Sequence, residues 1–277
     1  MQQLYALGPN EVKLFSTGQL RENFLMETLL KDDAVNFTYT HYDRMMIGGA
    51  KPVVNTLSLE TYPELRSEYF LERREIGIIN VGGEGTVEVD GTSYTVKKMD
   101  CLYVGKGARQ VNFSSSNDDH HPALYYLLSC PAHKDLPARL MKKDEAAPVE
   151  LGSLATANQR TIYKYIHLQG IESCQLVMGL TVLKEGSVWN TMPSHTHDRR
   201  MEAYFYFDVP EGQRVLHLMG QPQETRHLFV ANYQAIVSPP WSIHSGAGTS
   251  NYSFIWGMAG ENKDYSDMDP VSAAELK

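Results

Sequence analysis

The feature that most constrains this chain is a pair of histidines two residues apart, His195 and His197, followed by Glu202. Side chains alternate between the two faces of a β-strand, so histidines separated by one residue project from the same face. Glu202 has the opposite parity, and we therefore expect the chain to turn within residues 198–200. A second strand over residues 202–207 then returns the carboxylate to the imidazoles. The stretch predicts a metal clamp built on two consecutive strands.

A third histidine, His244, ends a Pro-bounded segment far downstream. Three imidazole nitrogens and one carboxylate oxygen suit a borderline divalent cation, with zinc preferred over iron, manganese or nickel. A lone His-x-His pair is usually a surface feature. Here the pair lies in Gly-x8-His-x-His-x4-Glu-x9-Gly and is followed by Pro-x3-His. These patterns resemble the two signature motifs of the cupin superfamily, in which a small antiparallel barrel holds a metal ion.

Charge and cysteine content narrow the functions open to the chain. Its 277 residues carry a formal net charge of −8 and no basic cluster, so nucleic acid is not an expected partner. Three cysteines without metal-type spacing indicate free thiols in a reducing compartment. The first residues lack the charged head and long apolar run of a signal peptide or membrane span. We therefore expect a cytoplasmic protein with no membrane partner.

The rest of the chain predicts short strands, after one short helix within residues 16–26. Residues 72–79 echo 198–205, and residues 102–110 echo 236–244, which indicates a duplicated lobe. The predicted fold is all-β, a double cupin of two double-stranded β-helix barrels, or jelly rolls, with a few short helices.

We place the N-terminal cupin lobe at residues 1–140 and the C-terminal lobe, with the metal site, at 141–277. Residues 131–160 contain prolines and mixed charges, and we interpret them as a solvated linker. The N-terminal lobe is expected to be metal-free, because other side chains stand where its ligands would fall: Phe70, Glu72 and Gln110. His120 and His121 lie beside acidic residues and a proline, and are interpreted as surface histidines of a loop.

Longer runs of residues carry a more specific resemblance. They are residues 70–75, 103–108, 189–193, 199–202, 219–227, 241–246 and 254–258. These runs are similar to the 5-keto-4-deoxyuronate isomerase family, the bacterial 4-deoxy-L-threo-5-hexosulose-uronate ketol-isomerases of pectin breakdown. The resemblance spans nearly the whole chain, and the run Gln-Pro-Gln-Glu-Thr-Arg-His at 221–227 is far more specific than a cupin motif.

The resemblance implies a homohexamer with one zinc ion per subunit, held by His195, His197, Glu202 and His244. Ser194 departs from the family, whose members carry cysteine there, but that position is not a ligand in the family. The implied reaction moves a carbonyl from C1 to C2 of a deoxygenated keto-uronate and gives 3-deoxy-D-glycero-2,5-hexodiulosonate. A proton leaves C2, an enediolate is stabilised and a proton returns to C1.

The sequence leaves the proton-transferring group open. His217, Glu224 and Tyr204 are candidates. Alternatively, His217 is a hydrogen-bonded histidine of the core, Glu224 forms an ion pair with Arg226, and Tyr204 packs as a core aromatic residue. A substrate carboxylate requires a cationic partner. Each cation below could equally belong to an ordinary salt bridge. The candidate substrate-binding residues are Arg199, Arg200, Arg226, Lys164, Tyr206 and Trp241.

Two other functions use the same pattern. Three histidines and a glutamate can hold iron or nickel in a cupin dioxygenase, and a sugar-sensing or storage cupin needs no chemistry. A complete set of metal ligands, in a chain without a DNA-binding appendage, argues against the sensing or storage function. Metal analysis and oxygen uptake distinguish a dioxygenase from an isomerase. Turnover of an unsaturated galacturonate digest distinguishes an isomerase from a sensing or storage protein.

Overall fold

The structure is a computed structural model that describes residues 1–116 and 121–277. His120, interpreted above as a surface histidine, lies outside the described residues, whereas His121 is exposed at a bend. The helices are α1 (Pro9–Val12) and α2 (Thr17–Phe24), and 3-10 turns cover Pro63–Leu65, Phe70–Glu72, Lys143–Glu145, Leu154–Thr156 and Ala273–Glu275.

Strands make up most of the fold. The first are β1 Gln2–Leu4, β2 Leu25–Met26, β3 Ala34–Thr40, β4 Met46–Lys51, β5 Leu57–Ser58, β6 Arg74–Asn80, β7 Gly85–Val89, β8 Thr92–Val96, β9 Cys101–Val104, β10 Val111–Ser115, β11 Tyr125–Pro131 and β12 Arg139–Met141. The others are β13 Val149–Leu151, β14 Arg160–Ile166, β15 Val177–Leu183, β16 Trp189–Asn190, β17 Ser194–Thr196, β18 Arg200–Phe207, β19 Val215–Gln221, β20 Glu224–Val230, β21 Gln234–Ser238, β22 Ser245–Gly248, β23 Ser253–Gly260 and β24 Asp269–Val271.

Two pairs of sheets repeat one strand order. The N-terminal pair is β1-β3-β4-β11-β6-β9-β12 with β5-β10-β7-β8, and the C-terminal pair is β13-β14-β15-β23-β18-β21-β2 with β16-β22-β19-β20. Strand β6 lies between β11 and β9 as β18 lies between β23 and β21, so the sequence echo reflects equivalent strands. The prediction of an all-β fold of two cupin-type barrels is confirmed.

The large sheets of the two barrels pack against each other. Along β11, Tyr126 turns away from its own barrel, and its ring stacks on Phe205 of β18 with 4.4 Å between centroids. Alternation along each strand thus divides the buried side chains between the barrel interior and this shared layer. Two of the large sheets therefore form one apolar core between the lobes.

The predicted helix within residues 16–26 is confirmed as α2. Ser16 caps it, because the Ser16 hydroxyl accepts from the Gln19 backbone N–H and the Gln19 side chain accepts from the Ser16 N–H at 2.9 Å. The helix buries Leu20 and Phe24 and leads into β2, which pairs with β21 of the C-terminal barrel. One strand from the start of the chain therefore completes the second barrel, and the lobe boundary at residue 140 stays a prediction.

The interpretation of residues 131–160 as a solvated linker is wrong in part. Strand β12 pairs with β9 and β13 pairs with β14, so this segment completes the edge of a sheet in each barrel. Backbone pairing of this kind leaves no strong sequence signal in strands of three residues. The three cysteines have free thiols, as expected. In the described part of the chain, no helix has the length and apolarity needed to cross a bilayer.

Candidate metal centre

The first two histidines of the site come from a short strand and the turn behind it. His195 lies on β17, His197 follows directly, and β18 begins at Arg200, so the chain turns where the parity of Glu202 requires. Strand β17 is held by β24 near the C-terminus, with His195 opposite Pro270. The chain end therefore fixes the position of the first ligand.

His244 reaches the site through the pairing of β18 with β21. Glu202 is directly opposite Ser238, the last residue of β21. The chain then passes through the Pro-rich loop and returns, so that the Ser238 hydroxyl lies 3.2 Å from Nδ1 of His244. The register of two strands thus places the third histidine beside the carboxylate.

The four side chains converge on one point. Oε2 of Glu202 lies 2.9 Å from Nε2 of His244 and 3.2 Å from Nε2 of His197, and the Nε2 atoms of His195 and His244 are 3.0 Å apart. All four ligand atoms lie within 4.8 Å of one another. A tetrahedral ion with bonds of about 2.0–2.1 Å spaces its ligands about 3.4 Å apart. The cluster can therefore hold a metal ion.

Hydrogen bonding around the cluster also suits a metal. Nδ1 of His197 lies 2.9 Å from the Arg200 carbonyl oxygen, which can only accept, so Nδ1 carries a proton and Nε2 is the nitrogen directed to the centre. His197, Glu202 and His244 are almost completely buried, with 1%, 4% and 1% of their surfaces exposed. Imidazole nitrogens and a desolvated carboxylate at this spacing are the donor set that a divalent cation binds, with release of any proton on those nitrogens.

The charges of the cluster are mutually dependent. Burial raises the pKa of Glu202, but the charge of His244 and hydrogen bonds from His197 and His244 outweigh this and hold that pKa below its ordinary value. Burial, with the charge of His244, lowers the pKa of His195 to about 3. A carboxylate that stays ionised and an imidazole that stays neutral are the protonation states that metal binding requires.

His195, His197 and Glu202 of the cluster line a cavity of about 390 Å³. Its lining includes both cationic and aromatic side chains. The lining residues besides the cluster are Arg160, Ile162, Lys164, Thr181, Thr191, Met192, Pro193, Arg200, Tyr204, Phe254, Trp256, Met258, Tyr265 and Met268. This volume lies in the range of about 300–1,000 Å³ typical of small-molecule sites.

Two cations on β14 line the cavity, and neither has a carboxylate partner among the described residues. Lys164 lies over the ring of Tyr265, with Nζ 5.1 Å from the centroid. Arg160 donates to the carbonyl oxygen of Asn158 at 2.9 Å, and burial lowers its pKa. Of the substrate-binding candidates from the sequence, Lys164 therefore has both the position and the free charge.

The other predicted arginines are engaged elsewhere. Arg200 lines the cavity but is fully buried and paired with Asp267 at 2.9 Å. Arg199 is exposed and paired with Glu261 at 3.2 Å, outside the cavity lining. Arg200 therefore ties the C-terminal segment over the cavity mouth.

The three proton-transfer candidates lie at different depths. Tyr204 lines the cavity, with its ring 5.5 Å from that of His244 and its hydroxyl 3.0 Å from Thr191 Oγ1. His217 is fully buried behind it, where Nδ1 lies 2.7 Å from the hydroxyl of Tyr206. Neither His217 nor Tyr206 lines the cavity.

The structure does not bring Glu224, Arg226 and Trp241 to the metal cavity. Glu224 and Arg226 pair with each other at 2.7 Å on β20, and the Trp241 indole donates to the Leu7 carbonyl oxygen at 3.1 Å. All three line a small cleft beside α1. The Pro-interrupted segment before β20 and the loop after β21 point away from the barrel interior, which strand parity does not reveal.

Sequence reasoning missed Arg160 and Tyr265. Arg160, Ile162 and Lys164 are two residues apart on β14 and all line the cavity. The side-chain alternation that predicted the inward direction of Tyr204 therefore also predicts that Arg160 shares the face of Lys164. Tyr265 lies in an irregular segment held over the cavity by Arg200, and its hydroxyl is buried without a hydrogen-bond partner among the described residues. No periodicity signals a residue of that kind.

Fold and site together define a two-barrel cupin with a candidate metal centre in its second barrel. The KduI/IolB family model matches residues 24–272, and the chain belongs to that family. A relative from Shouchella clausii, named 4-deoxy-L-threo-5-hexosulose-uronate ketol-isomerase, is 55% identical over 99% of both chains. A relative of the same name from Formosa agariphila is 56% identical over 99% of this chain and 97% of that one. The resemblance noted in the sequence is confirmed.

Solved structures show the same architecture at low sequence identity. An IolB-like protein from Salmonella typhimurium LT2 superposes with a TM-score of 0.74 and 15% identity, covering 91% of this chain and 99% of that one. Oxalate decarboxylase from Bacillus subtilis, which has Mn(II) centres, superposes with a TM-score of 0.55 and 11% identity. The match covers 83% of this chain and 71% of that one. These likenesses support the double-barrel fold.

Proposed function

We propose that the protein is a ketol-isomerase that converts 5-dehydro-4-deoxy-D-glucuronate (4-deoxy-L-threo-5-hexosulose uronate) to 3-deoxy-D-glycero-2,5-hexodiulosonate in pectin and polyuronate degradation. The observation that carries this proposal is the buried His-His-Glu-His cluster at a cavity with an unpaired lysine. Relatives covering the whole chain bear the ketol-isomerase name.

Zinc is the proposed metal, one ion per subunit, held by His195, His197, Glu202 and His244. Three nitrogens and one oxygen favour it among common divalent ions. When bound, such an ion supplies Lewis acidity that polarises a carbonyl and stabilises developing negative charge. Lys164, with Arg160 beside it on β14, holds the substrate carboxylate by charge-assisted hydrogen bonds.

Tyr204 is the proposed hydrogen-bond donor to the reacting substrate, since it is the one of the three proton-transfer candidates that lines the cavity. Burial raises the pKa of Tyr204 well above its ordinary value, so the phenol keeps its proton near neutral pH. Its hydroxyl lies 3.0 Å from Thr191 Oγ1, and its ring lies 5.5 Å from that of His244. A neutral phenol there can donate a hydrogen bond to an enediolate oxygen and stabilise the negative charge that develops on it.

A homohexamer is part of the same proposal. Edge strand β13 and the turn after it expose apolar side chains, with Val149, Leu151 and Leu154 at 40%, 44% and 62% exposure. Such residues on a sheet edge suit burial against another subunit. Light scattering should give six times the 31.2 kDa chain mass.

An NMR time course with the unsaturated monouronate from a polygalacturonate digest tests the function. We expect the substrate signals to be replaced by those of the 2,5-diketo product, and the conversion to stop with a chelator and return with zinc. His195→Ala should reduce the rate more than about 100-fold, because losing an outer partner of a ligand alone costs about 10–100-fold. Exposed His133 provides the control, and His133→Ala should keep full activity. Oxygen consumption would instead indicate a dioxygenase.

A further inference from the structure

The N-terminal barrel has a cavity of its own, of about 360 Å³. Its walls include Tyr39 of β3, Arg74 of β6 and Pro131 at the end of β11. These strands are the equivalents of β14, β18 and β23, which line the metal cavity in the second barrel. The duplication therefore provides a second barrel mouth at the corresponding place.

Arg74 is a buried cation in this mouth, with 6% of its surface exposed. Its guanidinium donates to the Ser129 hydroxyl at 3.0 Å and to the carbonyl oxygens of Ser129 and Arg44 at 2.7 Å. Its third nitrogen, Nη1, has no hydrogen-bond partner among the described residues. Every partner it has there is neutral, so the positive charge is not compensated.

The equivalent arginine in the second barrel differs in this respect. Arg74 begins β6 opposite Pro131, as Arg200 begins β18 opposite Gly260. Arg200 is compensated by Asp267 at 2.9 Å, on the segment that follows β23. Within residues 1–116 and 121–277, no carboxylate takes that place beside Arg74. A charge buried in the same position of the fold is neutralised in one barrel and not in the other.

The remaining charges of the mouth leave an excess of positive charge. Arg73, which also lines the cavity, uses Nη2 to donate to the carbonyl oxygens of Leu65 and Arg66. The one acidic lining residue, Glu64, lies 3.6 Å from the amino group of Met1. An unpaired buried charge is costly, and an anionic ligand removes that cost.

We propose that the mouth of the N-terminal barrel binds a small carboxylate of the sugar-acid class through the guanidinium groups of Arg73 and Arg74. Nη1 of Arg74, together with Nε and Nη1 of Arg73, has no hydrogen-bond partner among the described residues, and these N–H groups can donate to a carboxylate. The other lining groups suit a hydroxylated ring, because they combine hydrogen-bonding side chains with apolar and aromatic faces. They include Gln3, His41, Ser67, Tyr39 and Phe70. The cavity volume lies in the range of small-molecule sites.

Isothermal calorimetry on the full-length zinc-loaded protein tests this site, with D-galacturonate, D-galactose and inorganic phosphate as probes. The metal centre is disabled separately in the double variant His195→Ala/His244→Ala. We expect this variant to retain a galacturonate-binding event, and galactose to give none at the same concentration. Arg73→Gln and Arg74→Gln should each weaken that event about tenfold or more, in line with the loss of a charged hydrogen bond. Exposed Arg139, outside the cavity, is the charge control, and Arg139→Gln should bind as the wild type does.

Because Arg73 is exposed, Arg73→Gln keeps the test open even if Arg74→Gln fails to fold. Loss of all galacturonate binding in the double histidine variant would place the ligand at the metal centre and overturn the proposal. Equal galacturonate binding by the double histidine variant with and without Arg73→Gln would also overturn the proposal. Tighter binding of phosphate than of galacturonate would contradict the carboxylate assignment. None of these outcomes depends on whether the second barrel isomerises its substrate.

Discussion

The hydroxyl of Ser238 lies 3.2 Å from Nδ1 of His244, at the point where β21 ends opposite Glu202. This contact orients the imidazole so that Nε2 faces the cluster. A partner of this kind typically contributes about 10–100-fold to metal affinity. We therefore expect Ser238→Ala to release zinc to a chelator at about 10–100-fold lower chelator concentration, with the fold unchanged by circular dichroism.

The control for that variant is Ser93→Ala, because Ser93 is exposed on β8 in the other barrel. It should retain zinc as the wild type does. Equal zinc retention by Ser238→Ala and the wild type would show that the serine does not support His244.

Lys164 should control substrate affinity and leave the metal in place. Its ammonium lines the cavity without a carboxylate partner among the residues described, and a charged hydrogen bond is worth about 1.5–3 kcal/mol. Lys164→Met should therefore raise KM about 10–150-fold while zinc content stays at one per chain. Steady-state kinetics with metal analysis measures both quantities.

Arg199 supplies the matched control for Lys164. It carries the same charge but pairs with Glu261 outside the cavity, so Arg199→Met should leave KM unchanged. An unchanged KM in Lys164→Met would remove Lys164 from carboxylate binding and leave Arg160 as the cation to test next.

Glu75 should be important for stability although it is remote from the metal. Its buried carboxylate accepts backbone N–H groups of Cys174, Gln175 and Leu176 at 2.7, 2.9 and 2.8 Å, and so joins β6 of the first barrel to the second. Glu75→Gln replaces one acceptor oxygen with a donor that faces other donors. An unsatisfied buried group costs about 1–3 kcal/mol, and the urea midpoint should fall accordingly.

For Glu75 the control is Glu211→Gln, because Glu211 is exposed in a turn. Its urea midpoint should match that of the wild type at equal protein concentration. A Glu75→Gln midpoint that also matches would show that this carboxylate does not hold the lobes together.

His217 should make the metal-free protein sensitive to acid. Burial lowers its pKa to about 3, whereas an unfolded histidine titrates near about 6.5. Below about pH 6.5 the unfolded chain takes up a proton at His217 that the folded chain does not take up. The free energy of unfolding therefore falls as the pH decreases from about 6.5 towards 3. One such group contributes up to about 1.4 kcal/mol per pH unit.

Urea midpoints measured between pH 7 and pH 4 test this expectation. His217→Gln should show a shallower loss of stability with acid than the wild type, even if its stability at pH 7 is lower. Exposed His133→Gln should keep the wild-type slope. Identical slopes for His217→Gln and the wild type would mean that His217 does not contribute to acid sensitivity.

Local patterns in the sequence predicted the parts of the site that depend on strand parity. The turn between His197 and Glu202, and the inward direction of Tyr204, follow from side-chain alternation alone. The sequence did not place β2 in the second barrel, because that pairing joins segments far apart in the chain. Nor did it separate Lys164, which faces the cavity, from Arg226, which pairs with Glu224 elsewhere. Those outcomes depend on packing and not on periodicity.

Anomalous X-ray diffraction at the zinc edge, on crystals grown from protein purified without added metal or chelator, tests the central claim most directly. We predict one strong peak per chain, about 2.0–2.2 Å from Nε2 of three histidines and from Glu202 Oε2. A peak elsewhere, or protein that turns over its substrate at full rate with no metal at these four side chains, would contradict it.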